Sequence, residues 1–200
     1  MNTTLSSPVA TDPGPDRVAE RRAAIEALLW PKGASGMSVW AVLDGARDPR
    51  IHQALIESRL EYRSLYAGRL PRELERVSPQ LVELLPGHRL TARLLGEGWG
   101  QAWGVYLRID DPSNLRHHLR KFLKVKTEDG RRLLFRWYDP RVWRTVVSTF
   151  DDEQLAQFFG PIHDWITEGD DIDRAWNFSR VQARLKVREI VLVHSTEVVP

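Results

Sequence analysis

Three times along this chain an apolar run ends in Asp-Pro, at Asp48-Pro49, Asp111-Pro112 and Asp139-Pro140. The pair reads as a helix start. An Asp side chain accepts from the free backbone N–H groups of the first turn, and proline at the first helical position gives up an N–H that has no partner there. A chain that passes repeatedly from buried strand to helix without a linker has to stack helices on a sheet. The junctions therefore predict an α/β core of mixed α+β class, with a central mixed sheet and flanking helices.

The runs between the junctions agree. Met37 to Leu43 is nearly continuous in apolar residues, as expected of an interior strand covered on both faces. Tyr62 to Tyr66 and Trp103 to Ile109 read as further strands, and Leu81 to Leu85 as a brief strand or helix. Leu133, Phe135 and Trp137 alternate with Leu134, Arg136 and Tyr138 at the two-residue period of a strand. That strand runs straight into the Asp139 helix start, where Val142, Val146 and Phe150 follow at helical spacing beside Trp143 and Val147. Lys124 to Thr127 pairs with it in a hairpin around Asp129-Gly130.

Helices are expected over Arg17 to Trp30, after Asp48 with an Ile51, Leu55, Ile56 stripe, over Arg89 to Leu95 with a stop at Gly96, and after Asp111. Asp151 or Asp152 caps one more, which stops at Gly160-Pro161. Beyond it, His163 to Thr167 and Arg174 to Ser179 form a hairpin. Val181 to Val187 reads as one strand with a basic face of Arg184, Lys186 and Arg188, continuing into Ile190 to Val193. The organisation expected is a flexible tail over 1–16, an α/β domain over 17–161, and a small β-rich extension over 162–200.

Composition narrows the function. The 200 residues suit one domain. Their 29 Lys and Arg against 27 Asp and Glu argue against a dedicated nucleic-acid binder. With no cysteine there is no disulfide, no thiolate zinc site and no cysteine nucleophile. No stretch approaches the roughly 20 apolar residues of a membrane span, and Met1 to Asp16 has no signal pattern, so a soluble, cytoplasmic protein with no membrane partner is expected. Tryptophan is abundant, with 8 residues, as core anchors or as part of a protein-binding surface.

The candidate chemistry is sparse. Asp110 and Asp111 end a strand and, with Asp139, are the carboxylates a metal-dependent enzyme would use; their other reading is turns and caps. His117 and His118 are adjacent, which is not the i, i+4 spacing of a zinc helix. The run Gly96-Glu97-Gly98-Trp99-Gly100 lacks the Lys-Ser/Thr ending of a phosphate loop and precedes a strand. No catalytic constellation or cofactor motif survives, so a protein that is not an enzyme is expected. A nucleic-acid module built on the basic Arg116 helix and the Arg184 strand is the other alternative.

Arg136, Asp139 and Arg141 flank the third junction, with Tyr138 and Trp143 beside them. They read either as a cap with neutralising arginines or as a polar patch at a strand end offered to a partner.

Several segments, in order, resemble one family. They are Trp40-Ala41-Val42-Leu43-Asp44-Gly45-Ala46, Ser64-Leu65-Tyr66, Pro79-Gln80-Leu81-Val82, Trp99 with Trp103-Gly104, and His118-Leu119-Arg120-Lys121. Phe135-Arg136-Trp137-Tyr138-Asp139-Pro140-Arg141 and Gln154-Leu155 with Phe158-Phe159-Gly160-Pro161 complete the series. From Val39 to Pro161 the chain resembles the DUF4123 family, the adaptor chaperones of bacterial type VI secretion. The resemblance implies a non-enzymatic protein that binds a toxic effector in the cytoplasm and helps load it onto the VgrG spike. It also implies that Asp44, Arg136, Tyr138, Asp139 and Arg141 are motif residues, candidates with Trp143 for partner binding.

Overall fold

The computed structural model describes residues 15–33, 36–126 and 129–194. The expected tail up to Gly14, Thr127 of the expected hairpin and residues 195–200 of the expected extension lie outside the described residues. The first half of the chain forms α1 (Pro15–Leu29), β1 (Ser38–Asp44), α2 (Pro49–Ser58), β2 (Tyr62–Ser64), α3 (Arg72–Val77), β3 (Pro79–Leu84) and α4 (Arg89–Arg93). A π turn (Leu94–Gly98) leads to β4 (Gly104–Ile109), α5 (Leu115–Arg120), β5 (Lys124–Lys126), β6 (Arg132–Leu134) and α6 (Pro140–Val146). The chain continues through α7 (Asp152–Phe159), β7 (Ile162–Glu168), β8 (Arg174–Val181) and β9 (Arg184–Val191).

Alternation along β1 divides the molecule into two cores. Val39, Ala41 and Leu43 join one and Val42 the other, and all are buried. The first core takes Ile25 and Leu29 of α1, Ile51 and Leu55 of α2, and Leu90 and Trp99 around α4 and the π turn. The second takes Leu115 and Leu119 of α5, Trp143 of α6, and Leu155 and Phe158 of α7. Helices on both faces explain why β1 and β4 carry few polar residues.

The sheet has 7 strands in the order β2-β3-β1-β4-β7-β8-β9, and β5 with β6 forms a separate 2-stranded sheet. The α+β class and the flanking helices are as expected. The large sheet is antiparallel at every pairing rather than mixed. Its last strands also continue it, rather than forming an extension apart. Asp173 ties α1 to this end, pairing with Arg17 at 2.6 Å and Arg21 at 3.1 Å.

Some local expectations fail. Asp111 accepts from the Ser113 backbone N–H at 2.9 Å and closes a turn, while α5 starts later, behind Asn114. Asp48 and Asp139 do cap their helices, and Asp151 forms a capping box with Gln154. The strand before Asp139 ends at Leu134; Asp139 N–H donates to the Arg136 carbonyl at 3.0 Å, so Arg136 to Asp139 is a turn. The expected strand over Val181 to Val187 is broken at Gln182 and Ala183, whose φ values of 49° and 69° make a tight hairpin. Ile56 faces solvent, and Gly96 lies within the π turn rather than at a helix stop.

Candidate functional site

Antiparallel order brings the end of β1, the end of β7 and the starts of β3, β4 and β8 to one end of the sheet. Asp44 closes β1 opposite Pro79, and its N–H donates to the Trp103 carbonyl at 2.8 Å. One Asp44 carboxylate oxygen accepts from the Ala46 N–H at 3.2 Å, and the other holds the Arg136 guanidinium. The turn requires Gly45, because a Cβ there would lie 2.7 Å from the Ser78 carbonyl oxygen and closer still to that of Arg76.

Asp139 repeats the arrangement at the start of α6. It accepts from the Arg141 backbone N–H at 3.0 Å and pairs with the Arg141 guanidinium at 2.6 Å. Asp44 and Asp139 are only 1% and 4% exposed. The side chains of Arg136 and Arg141 keep 44% and 53% of their exposure. Two buried carboxylates thus fix two exposed cations, an arrangement suited to charge-assisted recognition.

Burial works to raise the Asp139 pKa. The Arg141 guanidinium, the Arg141 backbone N–H and the charges of Arg141 and Arg136 outweigh it, so this carboxyl titrates below its ordinary value. The hydrogen bond to Asp44 holds the Arg136 pKa above its ordinary value.

The other expected site residues are interior. Tyr138 is 2% exposed, and burial and the neighbouring Tyr66 both push its phenol up. Trp143 is fully buried and stacked on Trp165, so it supports the patch from below and offers a partner no surface. The sequence reading missed Arg144 and Glu168. Arg144 donates to the Glu168 carbonyl at 2.6 Å and pairs with Asp170. Glu168 accepts from the Gly100 and Ala102 N–H groups at 2.7 and 2.8 Å. Burial pushes its carboxyl up against those hydrogen bonds. The glycine-rich run after Leu95, discounted as a phosphate loop, leads into backbone that holds a carboxylate of the chain itself. That run is the one local trace Glu168 leaves in the sequence.

The carboxylates Asp110, Asp111 and Asp139 do not meet. Asp110 follows the end of β4, whereas Asp139 sits at the end where β4 starts; a six-residue strand separates them by about 20 Å. Asp110 pairs instead with His163 at 2.7 Å. Among the described residues no group of 3 or more His, Cys, Asp or Glu is placed to hold a metal. The two basic elements are apart as well. Arg116 donates to the Ser64 carbonyl at 2.9 Å beside β2, while Arg184 lies in β9. Those strands are opposite edges of the sheet, roughly 30 Å apart at the usual strand spacing.

Among the described residues no helix is long and apolar enough to cross a membrane. Fold and site together define an α+β protein that presents fixed arginines at one end of an antiparallel sheet. A family model described as a domain of unknown function, DUF4123, matches residues 39–157. The match covers more than half of the 200 residues, and the chain belongs to this family. No curated protein and no solved structure matches the chain.

The two arginines are not equivalent. Arg136→Ala leaves the buried Asp44 without its counter-charge and is expected to cost about 1–2 kcal/mol, less than a fully buried pair because the guanidinium is half in water. Arg141→Ala leaves Asp139 its cap bond and is expected to cost under about 1 kcal/mol. Urea midpoints of the two variants check the order; equal losses would mean that Asp44 does not depend on Arg136.

Proposed function

We propose that this chain is an adaptor chaperone that binds a type VI secretion effector in the cytoplasm and promotes its loading onto the VgrG spike, with no catalytic step of its own. The family match over residues 39–157 carries the reading, together with the ordered motifs inside it. The geometry supports a binding role. Arg136 and Arg141 are held in place before any partner arrives, so docking on them costs little side-chain freedom. Arginine is also a favoured anchor in protein interfaces. The metal-enzyme alternative needs Asp110, Asp111 and Asp139 together, and they stand at opposite ends of the sheet. An effector held stably would cover about 1,600 Å² in total.

The test is affinity purification of the tagged full chain from its native cells while secretion genes are expressed, with mass spectrometry of what accompanies it. A toxin-like protein in stoichiometric amount, with or without VgrG, is the expected result. Recovery of the bare chain would sink the reading.

A further inference from the structure

We propose that the outer edge of β9 is the docking strand for the partner, and that it takes a segment in which Asp or Glu alternates with Val, Ile or Leu. This inference rests on the adaptor reading above.

β9 is the last strand of the sheet and, among the described residues, pairs only with β8. It is 8 residues long, whereas β2 at the other edge has 3. Alternate residues of an edge strand turn their N–H and C=O groups outward, so β9 offers a long unpaired ladder.

Its two faces differ. Arg188 lies opposite Asn177 and Lys186 opposite Ser179, which puts Arg184, Lys186 and Arg188 on one face. Val187 lies opposite Phe178, which puts it with Leu185 on the other. Among the described residues these three cations have no ion-pair partner, whereas Glu189 of the same strand pairs with Arg174 at 2.9 Å. Val187 and Val191 are each 43% exposed.

A strand added beside Arg184 to Arg188 sets alternate side chains beside the three cations and the intervening ones beside Leu185 and Val187; further along, Ile190 continues the first face and Glu189 and Val191 the second. Opposite charges and apolar pairs at those positions stabilise the new ladder. A second copy is a poor occupant. In antiparallel pairing with itself, β9 would set Arg184 opposite Arg188 when centred on Lys186, Lys186 opposite Arg188 when centred on Val187, and Arg188 opposite Arg188 when centred there, and like charges directly opposite repel. β9 lies beyond the family-matched residues 39–157.

The test uses the full chain and a labelled peptide of about nine residues alternating Glu and Val, long enough to span the strand. Binding is read by fluorescence anisotropy and its location by amide hydrogen exchange. The expected result is binding with exchange slowed across Arg184 to Val191. The triple variant Arg184→Glu, Lys186→Glu, Arg188→Glu should lose about tenfold or more in affinity, and should bind the Lys–Val counterpart instead. No binding of the Glu–Val peptide, protection elsewhere, or unchanged affinity in the variant overturns the proposal. If the variant does not fold, the exchange map of the natural chain decides alone. The adaptor reading is judged separately by co-purification. An effector recovered equally with natural chain and folded variant keeps that reading and removes β9 from it; no effector removes the reading itself.

Discussion

Trp143→Ala is expected to lower the stability of the chain by about 3–5 kcal/mol, a large share of the roughly 5–15 kcal/mol that holds a domain together. The Trp143 ring stacks on Trp165 with centroids 4.1 Å apart and planes 18° from parallel. Phe158 lies 5.2 Å away, and Phe178 meets the ring edge-on at 6.0 Å. All of these surroundings are aromatic and fixed, so little can collapse into the space the indole would leave. The penalty is therefore the lost burial plus a cavity. For a chain of this size it should bring the thermal midpoint down by about 10 °C. The loss should spread to the candidate site, because Trp143 anchors the helix whose first turn carries Asp139 and Arg141. Trp143→Phe keeps an aromatic ring in place and should lose about half as much. A loss near 1 kcal/mol for the alanine variant would mean that the stack is slack and that α6 is held by something else.

The second large effect comes from adding a single methyl group. Gly104 starts β4 opposite Leu43, and a Cβ there would fall on the Val42 carbonyl oxygen and come within 3.0 Å of the Leu43 Cα. The obstacle is backbone, in a strand already paired on its other side to β3. It cannot rotate away as a side chain would. Gly104→Ala should therefore cost about 3 kcal/mol, the upper part of the range for overpacking, by forcing β1 and β4 apart beside Asp44. Gly96→Ala is the matched control, since a Cβ at that position meets nothing within 4 Å. In urea the Gly104 variant should lose midpoint with an unchanged slope, and the Gly96 variant should stay close to the parent. A shift under about 0.5 kcal/mol at Gly104 would mean that the two strands separate there without strain.

Much of what depends on neighbours in the chain was legible in the sequence, although the turn at Asp111 was not. The caps at Asp48, Asp139 and Asp151 need only their own next few residues, and a strand covered on both faces declares itself by lacking polar positions. The hairpin from β7 to β8 was legible for the same reason. Asp44, Arg136, Asp139 and Arg141 were legible as a motif, though not as two separate pairs. What the tertiary structure decided is everything set by distant partners. Antiparallel order put Asp110 and Asp139 at opposite ends of the sheet, although each follows an apolar run and stands next to an Asp-Pro or in one. Packing turned Trp143 inward and left Arg136 and Arg141 outside, a distinction that residue type does not carry. Glu168 gained a role only because backbone from Gly100 and Ala102 folds over it. The break at Gln182-Ala183 shows the same limit from the other side. Neither residue marks a turn, and only pairing with β8 bends the chain there, which leaves β9 as the edge.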